Sequence, residues 1–248
     1  MSENRIKVRI KFSKHGVMRF IGHLDIMRYF QKVFRRAEID IAYSQGFSPH
    51  QIMSFAAPLG VGMESDGEYM DVELHSMISS EDIVNRMNEQ MADGMQVISA
   101  KVLPEKAANA MASVAAAGYY ITFRDSFEPQ EGWRDVIKEF LAQEQILVTK
   151  VTKKSEIEMD LKPGIYDFKV SSYQCSDCLY LMVNASSSGN IKPAMVMEAL
   201  FKKMDQPFDA FNLLITREDT YLNMGTEVNP EFYPLDYIGK VKEVEAKT

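Results

Sequence analysis

Residues 5–12 read RIKVRIKF, and residues 23–37 read HLDIMRYFQKVFRRA. In the first stretch Ile6, Val8, Ile10 and Phe12 alternate with Arg5, Lys7, Arg9 and Lys11. A period of two belongs to a half-buried strand, here with cations on its other face. In the second stretch Ile26, Phe30, Val33, Phe34 and Ala37 recur at helical spacing, so one side of a helix packs inward. The cations Arg28, Lys32, Arg35 and Arg36 take the opposite side, and Asp25 falls in the first turn, where the helix dipole favours an anion. A strand followed by an amphipathic helix begins a layer of helices on a sheet.

Working outward, Ser13 to Gly16 is turn chemistry, and Val17 to Ile21 is expected to continue as extended chain. A loop rich in turn residues, Tyr43 to His50, leads into a strand from Ile52 to about Ala57 that Pro58 ends. Glu68 to Leu74 alternates again. Ser79, with Asp82 three residues on, opens a helix that turns Ile83, Val84, Met87 and Met91 inward, and Gln96 to Leu103 is a fourth strand. The order β-α-β-β-α-β predicts a ferredoxin-like unit over residues 1–103. An Ala-rich connector fills 104–118. A slightly elaborated version of that order then recurs over 119–224: strands near 119–123, 146–151, 157–161, 166–170, 179–183 and 212–217, a helix marked by Trp133, Ile137 and Phe140, and another begun by Pro193. Residues 225–248, Pro-punctuated and charged, read as a tail. The expected fold class is α+β, as two tandem ferredoxin-like α/β sandwich domains with antiparallel sheets.

Composition narrows the function classes. Across 248 residues, 46% are hydrophobic and 25% charged, the composition of an ordinary globule. No apolar run reaches the roughly 18 residues of a membrane span, and the start lacks a signal peptide's apolar core. Two cysteines make no disulfide framework and fit a reducing cytosol. The net charge of −7 hides an asymmetry: residues 1–50 hold ten Lys/Arg against four Asp/Glu, while the remainder is strongly acidic. A local cationic patch on an acidic body fits one defined anionic partner rather than wholesale nucleic-acid coating.

The sequence offers no catalytic motif. His15, His23, His50 and His75 show no metal-ligand spacing, and Cys175 and Cys178 form one CxxC without the second pair that a structural zinc needs. No CxxxCxxC, Walker loop, GxGxxG or GxSxG occurs, so no cofactor is expected. The cationic face of residues 5–11 leaves two readings open. It either neutralises Asp71 and Glu73 on a neighbouring strand and packs internally, or it offers phosphate contacts with Tyr69 as a stacking ring. The helix beginning at His23 and Asp25, its cations Arg28, Lys32, Arg35 and Arg36, the nearby Lys14 and Arg19, and the loop carrying Ser44, Gly46, Phe47, Pro49 and His50 can together make one phosphate-binding surface. Read structurally instead, His-Leu-Asp fixes a helix start, and Gly46 and Pro49 fix a turn.

Residues 11–74 resemble the uncharacterised bacterial radical SAM-linked protein family. The landmarks are Phe12-Ser13-Lys14, Gly16, Phe20, Gly22-His23-Leu24-Asp25, Arg28, Arg35-Arg36, Tyr43-Ser44, Gly46-Phe47-Ser48-Pro49, Pro58-Leu59, Gly62 and Glu68-Tyr69, with a looser match at Glu158 to Pro163. The resemblance implies a cytoplasmic bacterial protein, a radical SAM partner, and involvement with RNA or ribosome-related modification; it carries over no catalytic residues. The expected role is therefore a non-catalytic accessory that binds RNA or presents substrate to a radical SAM enzyme. The alternatives are a metal-independent endoribonuclease of the tandem ferredoxin-like type, with His23 as acid or base, and a pure protein-interaction module.

Overall fold

Strand β1 (Ile6–Lys14) lies at the centre of the N-terminal part, as its alternation predicts. The computed structural model describes residues 5–124, 127–129, 132–151, 156–174 and 176–244. It divides into two units, Met1–Val114 with Asp219–Thr248, and Ala115–Glu218. Both are mixed α and β, with few helices and mostly antiparallel strands.

In the first unit β1 is followed by a 3-10 turn (Gly16–Phe20), α1 (His23–Arg36), β2 (Met53–Phe55), β3 (Glu64–Leu74), α2 (Ser80–Asn88), β4 (Met95–Val102) and the short α3 (Ala110–Ser113). Residues 17–20 are thus 3-10 helix, not the extended chain expected of them. β1 pairs antiparallel with β3 on one side and β4 on the other, and β2 adds to β3. Val8, Ile10 and Phe12 face the helices and are at most 2% exposed. They meet Phe30, Val33, Phe34, Ile83 and Met87 in one core, with the Phe12 and Phe30 rings edge-on at 4.7 Å. The Ser79 side chain caps α2, accepting from the Asp82 amide at 3.0 Å.

The second unit contains β5 (Ala116–Phe123), α4 (Trp133–Ala142), β6 (Leu147–Val151), β7 (Glu156–Asp160), β8 (Ile165–Tyr173), β9 (Ser176–Asn184), α5 (Pro193–Lys203) and the first part of β10 (Leu213–Asn223). β9 lies between β5 and β8, antiparallel to both, while β6 and β7 form a separate antiparallel pair. Pro193 occupies the first turn of α5, where its missing N–H costs nothing, and Val196, Met197 and Leu200 are fully buried.

The unit boundaries differ from those the sequence suggests. From Asp219 onward β10 belongs to the first unit, as do β11 (Phe232–Pro234) and the rest of the described C-terminal segment. That segment is no loose tail over its described length: Val102 and Lys240 form a bridge, and the Ser80 amide donates to the Lys242 carbonyl at 2.8 Å. β10 reaches β3 because residue 67 is glycine. A Cβ there would stand 2.8 Å from the Asp219 Cα, closer than side chains tolerate.

Candidate nucleic-acid interface

The first unit carries two rows of cations, and they end differently. On β1, Arg9 is 0% exposed. Its guanidinium grips Asp71 with two bonds, Nε to Oδ1 at 2.7 Å and Nη2 to Oδ2 at 2.9 Å. It also donates to the carbonyls of Leu235 at 2.8 Å and Ala108 at 3.1 Å. Arg5 pairs with Glu73 at 3.1 Å and Lys11 with Asp219 at 2.6 Å. Tyr69, the candidate stacking ring, is 2% exposed and donates its hydroxyl to Asp219 at 2.7 Å. Burial pushes the Tyr69 phenol far above its ordinary range, and the adjacent Asp219 carboxylate adds to the rise. Burial likewise raises the Asp219 carboxyl, against the opposing pull of Lys11. Of the two readings of this face, internal neutralisation is the one realised. The segment before β5 and the C-terminal segment of the same unit cover Arg9, while Lys7 at the outer end of the row stays exposed.

On α1 the row stays in solvent. Arg28, Lys32, Arg35 and Arg36 are all exposed. Arg28 makes only an exposed pair with Asp25, at 3.2 Å, and Arg35 donates to the Gln31 carbonyl one turn back. Lys32 and Arg36 make no hydrogen bond or ion pair among the described residues. Arg35 and Arg36 also sit in the last turn, where the helix dipole favours positive charge.

The loop after α1 is a closed hairpin. Tyr43 and Gln51 form an antiparallel bridge, and the Ser44 amide donates to the His50 carbonyl at 2.8 Å. Inside it, Ser44 Oγ accepts from the His50 amide at 3.1 Å and lies 2.8 Å from His50 Nδ1. Gly46 takes φ +115, a left-handed conformation with open space around it. Phe47 follows at the tip, fully exposed. The Gln51 side chain ties the base of the hairpin to α1, donating to the Gln31 carbonyl and the Tyr43 hydroxyl at 3.4 Å each. Pro49 and His50 are exposed.

Other sequence-predicted residues separate from this group. Lys14 is 3% exposed and donates to the Ile21 carbonyl at 3.1 Å, so it offers no surface charge. Arg19 pairs with Glu64 at 3.2 Å and stacks on Phe20 at 4.9 Å. His23 is half-buried, its ring edge-on to Phe55 at 5.2 Å, in a crevice also lined by Phe12, Lys14 and Glu68. It does not meet the Ser44–His50 hairpin, which is tied to α1 at Gln31, about 12 Å further along the helix axis at 1.5 Å per residue. The single surface expected of the helix start, the cations and the loop therefore resolves into two places. Arg35 adjoins the base of the hairpin through the shared Gln31 carbonyl, on the exposed side of α1 that also carries Arg28, Lys32 and Arg36, while His23 stays half-buried in its crevice and Lys14 is buried. Sequence reasoning overlooked Tyr43 as a half-exposed ring, along with Gln31 and Gln51; no motif marks a glutamine as a loop anchor.

In the second unit a cleft of about 540 Å³ is lined by Arg124, Glu128, Trp133, Arg134, Asp177 and Cys178, among others. Its charges oppose one another: Arg134 pairs with Glu128 at 2.9 Å, and Arg124 Nε donates to the Phe211 carbonyl at 2.7 Å. Burial and the neighbouring Asp177 raise the Cys178 thiol, the reverse of an activated nucleophile. Its CxxC partner Cys175 lies outside the described residues.

A family model described as an uncharacterized protein conserved in bacteria (DUF2344) matches residues 7–193. The chain belongs to that family. No curated protein matches it. Among solved structures, the chain is similar at 8% identity to one from a Cbf5-Nop10-Gar1 complex, covering 86% of this chain and 48% of that one with a TM-score of 0.44. It is also similar at 9% identity to a dye-decolorizing protein from V. cholerae, covering 86% and 91% with a TM-score of 0.20. The chain thus spans about half the length of the first of these. Among the described residues no helix is long and apolar enough to cross a membrane.

Proposed function

We propose that this DUF2344 protein is a non-catalytic RNA-binding accessory that presents RNA to a radical SAM enzyme. One observation carries the RNA part: Arg28, Lys32, Arg35 and Arg36 form an exposed cationic row on α1 in a chain of net charge −7. Exposed like charges repel one another, and four on one helix are best compensated by a polyanion whose phosphates release counterions on binding. On β1, Arg9 and Lys11 show what this protein does with charge it uses for folding: it pairs and covers it. The radical SAM partnership rests on the sequence resemblance alone.

The same proposal extends to architecture, with both units as ferredoxin-like folds. In support, the order β4-β1-β3-β2 in the first unit matches β10-β5-β9-β8 in the second once the β6–β7 pair is set aside as an insertion.

Crosslinking RNA to the tagged protein in its native cell tests the reading, with a charge-reversed Arg28/Arg35/Arg36 variant beside it. Discrete RNA species recovered with the wild-type chain and lost with the variant are expected. Equal recovery with both would remove α1 as the interface, and no recovery from well-expressed protein would favour protein docking.

A further inference from the structure

Resting on the RNA-binding reading, we propose that the RNA is engaged as a single strand, with Phe47 as a hook on which an unpaired base stacks. Phe47 is a large apolar ring with no covering from its own unit, held at the tip of a hairpin that is closed at its base. The hairpin is braced rather than loose. The paired Ser44 and His50 backbones, the Ser44 Oγ contacts and the Gln51 anchor to Gln31 hold the base of the loop that carries the ring. Gly46 supplies the left-handed step that turns the chain there, and Pro49 restricts its return.

The same anchor sets the base of the hook's hairpin beside the cationic side of α1, since the Gln31 carbonyl accepts from both Gln51 and Arg35. Tyr43 at the hairpin base offers a second, half-exposed ring. Cations that track a backbone next to projecting aromatic rings are the elements of single-strand recognition, because every base has a π-face and stacking tolerates any sequence. In a duplex those faces are already stacked within the helix, and an A-form helix is read through its shape, phosphates and 2′-hydroxyls, for which an exposed phenyl ring has no use.

The test is fluorescence anisotropy of the full chain with two labelled RNAs of equal charge, an unstructured oligouridylate and a blunt-ended, fully paired duplex, using wild type, Phe47→Ala and Phe47→Trp. The wild-type chain is expected to prefer the single strand. Phe47→Ala should weaken single-strand binding on the order of ten-fold and leave duplex binding unchanged, and Phe47→Trp should restore it. Equal binding of the oligouridylate by wild type and Phe47→Ala would overturn the hook while leaving the RNA reading standing. Wild-type protein that binds neither RNA would overturn the RNA reading, and the hook with it. Since Phe47 touches nothing in the core, the thermal midpoint of each variant should match wild type, which separates a binding loss from a folding loss.

Discussion

The β1 and α1 cations begin alike, as rows of Lys and Arg on the polar side of an amphipathic element, and finish as opposites. On β1 each residue has a fixed partner across the ladder, so the register sets Lys7 opposite Glu73 and Arg9 opposite Asp71. Segments of the same unit then cover the middle of the row, and Arg9 ends fully buried with its guanidinium engaged on all sides, while Lys7 at its outer end stays exposed. On α1 the neighbours one turn away are largely other cations or Gln31, nothing packs over them, and the charge remains available. A cationic row is therefore structural or functional according to what the fold lays against it.

The largest effect should come from cutting the buried row. Arg9→Ala leaves Asp71 without its bidentate partner in a covered site, a loss of about 3–5 kcal/mol. Urea unfolding monitored by circular dichroism checks this; a change below about 1 kcal/mol would mean the pair is solvated, and the contrast between the rows would collapse.

Next comes the exposed row. Replacing Arg28, Lys32, Arg35 and Arg36 together by Gln should weaken single-stranded RNA binding on the order of a hundred-fold. The urea midpoint should move little, because surface substitutions of this kind usually stay within about 0.5 kcal/mol each.

A third prediction sharpens the buried side through pH. The folded state holds the Tyr69 proton well above the ordinary value of 10.0, whereas the unfolded chain releases it near that value. The stabilisation is then fully present below pH 10.0 and lost as pH rises beyond it, at about 1.4 kcal/mol per pH unit until the folded phenol also ionises. Tyr69→Phe should flatten that share of the slope in alkaline urea titrations. An unchanged slope would place Tyr69 in solvent.

The smallest effect is expected of Arg28→Ala. Its exposed pair with Asp25 should be worth less than about 0.5 kcal/mol, read from the same unfolding curves. A loss as large as that of Arg9→Ala would erase the distinction.

Much of this was legible in residues 5–37. The alternation of Ile6 to Phe12 fixes the inward face of β1, and the spacing of Ile26, Phe30, Val33 and Phe34 fixes that of α1, since both periods are local properties of the backbone. The Ser79 cap and Pro193 at a helix start were readable for the same reason. What covers the far face of β1 was not. Arg9 meets the Ala108 and Leu235 carbonyls, 99 and 226 residues away, and no local pattern encodes such partners. The C-terminal segment looked like a tail because its pairing with β4 and α2 is equally distant in sequence. Lys14 reads as a surface cation until the Ile21 carbonyl and the surrounding side chains enclose it. Of the interface, the α1 cations and the Gly46–Pro49 turn could be read directly. Their neighbourhood depends on Gln51 reaching Gln31, which only the folded chain brings together.

The most direct test of the central claim is the salt dependence of single-stranded RNA binding. The logarithm of the affinity against the logarithm of salt concentration is compared for wild type and the variant with Gln at positions 28, 32, 35 and 36. If α1 contacts phosphates, the slope should become shallower by about 3, roughly 0.7 for each of the four charges removed. Parallel lines would show that the exposed row releases no counterions, and would contradict the account.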